Sequence, residues 1–183
     1  MRNVVYAINM SIDGYCDHTH FGPDEELMEY FTNLIKQADI DIYGRKTYEL
    51  MVPFWPDFAK AKTGSKVDID FAEALTAIEK VVFTKTLARV EANSRIVRGD
   101  LEGEIRRLKQ RPGKDISVGG VNLASQLMQL GLIDEFYFVV HPVIAGKGTR
   151  LFEGANLAEK FNLKLVESKV FKSGAIGLHY AKK

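Results

Sequence analysis

Cysteine is nearly absent from this chain: Cys16 is the only one in 183 residues. A single thiol excludes an internal disulfide framework and any zinc site built on several thiolates. A surplus of charge is also missing. Lys and Arg total 25 and Asp and Glu total 24, giving a net charge of +1. Such a chain has no global field to hold a polyanion, so a nucleic-acid partner is not expected. No apolar run approaches the length needed to span a bilayer. The N-terminal run Val4-Val5-Tyr6-Ala7-Ile8 is too short for the core of a secretory signal. The expectation is therefore no membrane partner and a cytoplasmic location, and without a secretory signal the Asn9-Met10-Ser11 glycosylation triplet carries no meaning. The common nucleotide motifs are missing as well. No G-x-G-x-x-G follows a strand, and Gly146-Lys147-Gly148 has His141 where a phosphate-binding loop would need its earlier glycine.

What is present is the balance of a soluble domain: 46% hydrophobic, 27% charged and 10% aromatic residues. With no linker, repeat or low-complexity tract, residues 1–183 read as a single domain of ordinary size. Residues 3–10 read as a buried strand, followed by a turn at Asp13-Gly14 and a polar loop from Cys16 to Gly22. Pro23-Asp24-Glu25-Glu26 reads as a helix start, and Leu27, Tyr30, Phe31, Leu34 and Ile35 recur at helical spacing to about Ala38. Strands are expected at 39–43, 80–84, 95–97, 115–118 and 133–141. Helices are expected after Gly44, near 71–79, at 101–110 and across Leu123, Leu127 and Leu130, the last capped by Gly131. The segment holding Pro53, Trp55 and Pro56 reads as irregular. Two final strands, 163–171 and 176–181, form a hairpin at Lys172-Ser173-Gly174. Alternation of strand and helix predicts an α/β fold with a mostly parallel sheet, helices on both faces, and an antiparallel C-terminal hairpin at an edge.

In such sheets ligands bind where the carboxyl ends of strands meet their loops. Three junctions there carry chemistry. At Val118-Gly119-Gly120-Val121-Asn122-Leu123 a strand meets two glycines and a helix start, which suits either an anion on free N–H groups or simply a tight turn. Gly44-Arg45-Lys46-Thr47 adds two cations and a hydroxyl, reading either as phosphate contacts or as a solvated basic turn. Thr84-Lys85-Thr86 offers two hydroxyls and an ammonium, or an ordinary polar loop. Together the three match the anion contacts that a dinucleotide bearing an extra ribose phosphate needs. Asp13 and Glu26 are candidates for moving a proton or orienting substrate; an Asx turn with Gly14 and a helix-start charge are their plainer roles. Ser11 is a candidate substrate contact. Trp55 is another, with Phe54, as an apolar wall, a core residue or a dimer contact. His18 and His20, two apart on a loop, are not expected to bind a metal.

These segments resemble a known family. Ser11-Ile12-Asp13-Gly14, Gly44 to Glu49, Val82 to Leu87, Val118-Gly119-Gly120, and Gly131 to Phe136 continuing through Pro142 to Gly148 follow one another as in the dihydrofolate-reductase-like fold. The resemblance is specifically to the reductase domain at the C-terminal end of bacterial riboflavin-biosynthesis deaminase-reductases, in a stand-alone form. It implies a three-layer αβα sandwich and NADPH as hydride donor. It also implies reduction of a C=N or C=O bond in a small heterocyclic substrate, similar to 5-amino-6-(5-phosphoribosylamino)uracil reductase or dihydrofolate reductase. Arg45, Thr47, Thr84 and Lys85, with Gly44, Lys46 and Thr86 beside them, would face the cofactor's phosphates and adenosine side. Gly119, Gly120, Val121 and Asn122, with Leu123, would cradle the pyrophosphate, and Ala7 and Ile8 would lie near the nicotinamide. A cis bond between the paired glycines and a homodimer are further implications. The chain departs from the family's named enzymes in three places. Its single cysteine, Cys16, cannot supply the zinc signature of the deaminase domain that the riboflavin enzymes also carry. Its 17–22 segment does not match the serine-rich ribose-phosphate loop. Leu27 or Met28 stands near the position where folate reductases carry an acid. A nucleotide-binding module of the same fold without turnover is the alternative reading, and a structural protein whose glycines serve turns only is the third.

Overall fold

The structure is a computed structural model that describes residues 1–22, 24–62, 64–157 and 160–183. The reading of Pro23 as the start of the first helix falls outside these residues. The frame is an eight-stranded sheet in the order β4-β3-β2-β5-β1-β6-β8-β7. Its first six strands in chain order are β1 (Val4–Ser11), β2 (Ala38–Gly44), β3 (Glu79–Phe83), β4 (Ser94–Val97), β5 (Asp115–Gly119) and β6 (Glu135–His141). All six run parallel. The last two, β7 (Leu163–Val170) and β8 (Ile176–Lys182), form the antiparallel hairpin, which joins β6 through β8.

Helices cover both faces, giving the three-layer arrangement of the dihydrofolate-reductase-like fold. On one face, α5 (Leu101–Gln110) and α6 (Val121–Gln129) press Ile105, Leu108, Leu123 and Leu127 onto Val4, Tyr6, Ile42 and Ile116. These residues alternate along each strand, so the other residues of the same strands face the opposite layer. That layer holds α1 (Glu25–Gln37), α2 (Arg45–Met51), α3 (Trp55–Ala61) and α4 (Lys66–Ala77). The α1 helix begins at Asp24, whose carboxylate accepts from the Leu27 amide at 3.1 Å.

The observed elements differ from the sequence reading in one region. Residues 53–56 were expected to be irregular, yet Trp55 and Pro56 open α3, with proline in the first turn where its missing N–H costs nothing. The following helix begins at Lys66 rather than near Phe71, and Glu79 belongs to β3. A reciprocal capping box explains the earlier start: the Ser65 hydroxyl accepts from the Asp68 amide at 3.3 Å, and the Ser65 amide donates to the Asp68 carboxylate at 3.1 Å. Trp55 closes the gap between the two helices, its ring 4.7 Å from that of Phe71 and 5.7 Å from that of Phe58.

Replacing Ser65 by Ala removes this cap. The expected loss is about 1 kcal/mol, visible as a fall in Tm of about 2–4 °C in thermal unfolding followed by circular dichroism.

Candidate functional site

Parallel pairing brings the carboxyl ends of β1, β2, β3, β4 and β5 to one rim. In register, Gly119 lies beside Tyr43 of β2, and Val118 beside Tyr6 of β1. Two cavities open at this rim and meet along Lys46, Thr47, Gly119, Gly120 and Asn122.

The paired glycines set the shared wall. Gly120 has φ +90° and caps α6. A methyl group there would lie 2.2 Å from Thr47 Oγ1, and one on Gly119 would lie 2.3 Å from Tyr43 Cε1. Both distances are impossible for a real side chain, so the two glycines let β2 and the first turn of α2 approach the backbone directly. Among the described residues no peptide bond is cis. Gly120's positive φ stands at the β5–α6 junction, where the family resemblance implied a cis bond.

The first side of this wall is cationic. A cavity of about 650 Å³ is lined by Arg45, Lys46, Thr84, Lys85, Arg98 and Leu123, with Asp100 as an acid among these cations. Arg45 sits 3.8 Å from Glu49, and both side chains are close to half exposed, so solvent screens the pair and leaves the guanidinium able to turn toward an anion. Thr84 is buried, and its hydroxyl accepts from the Thr86 and Leu87 amides at 3.2 and 3.1 Å. It shapes the turn that carries Lys85. Thr86 lies outside the lining of either cavity. Arg98 donates to the carbonyls of Lys85 and Leu87, each at 3.0 Å, tying the loop after β3 to the loop after β4. The sequence reading passed over Arg98, because its relation to Lys85 exists only through the pairing of β3 with β4.

The second side is more apolar, a cavity of about 700 Å³ between the sheet and α1, α2 and α4. Ala7, Ile8 and Val121 line it near the glycines. Phe31, Leu34, Met51 and Leu75 form the helical wall. Its floor is polar: Asp41 and Tyr43 of β2, Ser117 of β5 and Tyr137 of β6. Asp41 is 3% exposed, and its Oδ2 accepts a hydrogen bond from the Tyr43 hydroxyl. Burial pushes the Asp41 carboxyl up to about 6, against the lowering effect of the Tyr43 and Ser117 hydroxyls and of Lys80. The Tyr43 hydroxyl is itself driven up, first by burial and then by the Asp41 charge. No sequence pattern marked Asp41, since a single acid within a strand looks like a solvent-facing residue.

The remaining sequence candidates lie elsewhere. Asp13 lies outside the lining of both cavities and is engaged by its own turn and by the distant 145–146 segment. It accepts from the Ser11 hydroxyl at 2.6 Å and from the Ala145 and Gly146 amides at 3.0 and 2.8 Å. These donors hold its carboxyl down at about 2. Ser11 is buried under the same turn, where its oxygen also accepts from the Tyr15 amide. Glu26 accepts from the Lys172 amide at 3.0 Å and pairs with Lys169 at 3.2 Å, joining α1 to the C-terminal hairpin. Trp55 stands behind the cavity's Phe71, as one of an aromatic group with Phe54 and Phe58. Among the described residues no group of three or more His, Cys, Asp or Glu is placed to hold a metal ion, and no helix is long and apolar enough to cross a membrane.

Residues 2–176 match the family model of the RibD C-terminal domain. The chain belongs to that family. It is 39% identical to the uncharacterized protein YwjB of Bacillus subtilis (strain 168), over 99% of this chain and 98% of that one. Among solved structures, a provisionally named riboflavin biosynthesis protein of Shewanella sp. PV-4 superposes with a TM-score of 0.75, at 20% identity over 100% of this chain and 99% of the other. The diaminohydroxyphosphoribosylaminopyrimidine deaminase/5-amino-6-(5-phosphoribosylamino)uracil reductase of Thermotoga maritima superposes with a TM-score of 0.69, at 17% identity. This chain spans 57% of that one. The RibD C-terminal fold thus carries the two cavities, and the paired glycines divide them.

The raised carboxyl of Asp41 has a consequence for stability. The folded state keeps that proton to higher pH than the unfolded chain, whose carboxyl titrates near 3.8. As pH rises from about 4 through 6, ionisation of Asp41 therefore costs the folded state stability. Asp41→Asn abolishes the charge and can still accept from Tyr43. Its Tm is expected to exceed that of the unaltered protein by about 3–6 °C at pH 8, with the gain vanishing near pH 4. Differential scanning calorimetry at the two pH values checks this.

Proposed function

We propose that this RibD C-terminal-type protein is an NADPH-dependent reductase that delivers a hydride to a C=N or C=O bond of a small heterocyclic substrate. The observation that carries the reading is the pairing of a cationic cavity with an apolar, polar-floored one across the backbone of Gly119 and Gly120. A dinucleotide needs both surroundings at once, with its phosphates against cations and N–H groups and its reactive ring in a dry pocket.

Bound NADPH supplies the hydride; the chain's own residues bind, orient and exclude water. Arg45 and Lys85 hold the phosphate on the adenosine ribose, and Arg98 fixes the loop that carries Lys85. The Gly119–Gly120 backbone and the first amides of α6 receive the pyrophosphate. Ala7 and Ile8 line the nicotinamide end, where the apolar wall from α1 and α4 keeps water away. The names of the structural relatives, one of them a uracil-ribotide reductase, support the reaction class. A cytoplasmic, homodimeric protein completes the proposal. The outer strand β7 supports the dimer, because it leaves Leu165, Val166 and Val170 half or more exposed along an open sheet edge. The reading as a binding module without turnover shares the cofactor site and differs only in showing no substrate-dependent NADPH oxidation.

Titration with NADPH is expected to quench Trp55 emission, because that ring packs on Phe71 at the cavity wall. Arg45→Ala or Lys85→Ala is expected to weaken NADPH by roughly tenfold while changing NADH affinity much less. Equal losses for both nucleotides contradict a phosphate at the adenosine ribose.

A further inference from the structure

We propose that Asp41, braced by Tyr43 on the floor of the apolar cavity, is the group that recognises the substrate, by accepting hydrogen bonds from an N–H-bearing edge of a planar heterocycle. The proposal rests on the reading above only for the word substrate; the binding site stands on its own geometry.

The floor is built in register. Asp41 pairs across the sheet with Ser117, and Ser117 with Val5. One step nearer the rim, Tyr43 pairs with Gly119. A ring lying on this part of the sheet, beneath Phe31 and Leu34, therefore has one edge toward the paired glycines and another toward Asp41. Only one oxygen of that carboxylate is satisfied. Oδ2 takes the Tyr43 hydroxyl, while Oδ1 is buried and receives no hydrogen bond among the described residues; the Ser117 hydroxyl on the neighbouring strand is close enough to favour the charged carboxylate but completes no hydrogen bond to it. Lys80, its register neighbour on the far side, is not a close partner: it forms no ion pair with Asp41 and donates instead to the Thr76 carbonyl at 2.9 Å. Leaving such an acceptor unpaired is costly, and the same desolvation favours the carboxyl's neutral form. A ligand N–H removes that cost, and a carboxylate in apolar surroundings rewards it more than water does.

Tyr43 is what holds the carboxylate in place. Its ring lies against Gly119 and its hydroxyl against Oδ2, so the acceptor and the cofactor-side glycine share one support. The site therefore selects against rings of the same shape that lack the donor, since these leave Oδ1 unpaired. Asp13 and Glu26 offer no comparable vacancy, because backbone amides from distant segments, Ala145 and Gly146 for the one and Lys172 for the other, already donate to them.

The test uses the full chain without nucleotide and two probes of matched shape, 2-aminoquinazoline and 2-methylquinazoline, by isothermal titration calorimetry. The unaltered protein is expected to bind the amino compound at least tenfold more tightly than the methyl compound. Asp41→Asn is expected to shrink that preference at least fivefold, and Tyr43→Phe to reduce it less. Cooperative thermal unfolding of each variant shows that it is folded. Equal affinity for the two probes, including no binding of either, overturns the proposal, as does an unchanged preference in Asp41→Asn. Failure of the reductase reading shows separately, as absence of the NADPH-dependent quench of Trp55 or of substrate-dependent NADPH oxidation, neither of which this comparison uses.

Discussion

Close approach of the β5–α6 junction to β2 is the constraint on which the two-cavity arrangement depends. Wherever a Cβ is added at Gly119 or Gly120, it strikes Tyr43 or Thr47 at 2.3 or 2.2 Å. With both side chains absent, the backbone between β5 and α6 becomes a thin wall, open to cations on one side and to an apolar slot on the other. Parallel pairing then does the rest, because strands running the same way must end at the same rim. The loops after β2, β3 and β4 arrive there with Arg45, Lys85 and Arg98.

The two faces of the sheet divide the work. Toward α5 and α6 the strands present Val4, Tyr6, Ile42 and Ile116 in a closed core, which supplies most of the burial. Toward α1 and α4 the same strands present Asp41, Tyr43 and Ser117 to a cavity that the helices do not fill. An ionisable group and empty volume on that face are costs that stability alone would select against, and their coincidence makes this face the candidate site. The loop from Ser11 to Asp17 is anchored over the rim by Asp13 and by Asp17, whose carboxylate accepts from the Thr149 amide. Its polar residues thus hold shape at the mouth of the cavity.

Much of this was legible in the sequence. Strand–helix alternation gave the parallel sheet, and apolar spacing placed α1, α5 and α6 within a residue or two of their ends. The cationic rim followed from glycine, hydroxyl and cation recurring at three strand ends, and all but Thr86 of those residues line a cavity. What escaped depended on long-range contact. The helix at Trp55 was hidden by two prolines, one of which sits harmlessly in its first turn. Arg98 gained meaning only beside Lys85, and Asp41 only once Tyr43 and a helical wall had enclosed it. Conversely Asp13, prominent in its motif, turned inward to two backbone amides from a segment more than 130 residues away, which no local pattern announces.

The most direct test of the account is a crystal structure of the protein with NADPH. The account requires the pyrophosphate against Gly119, Gly120 and the first turn of α6, the ribose phosphate within reach of Arg45 and Lys85, and the nicotinamide beside Ala7. Density for the nucleotide anywhere else, or a rim that stays closed by the chain's own side chains at saturating concentration, contradicts it.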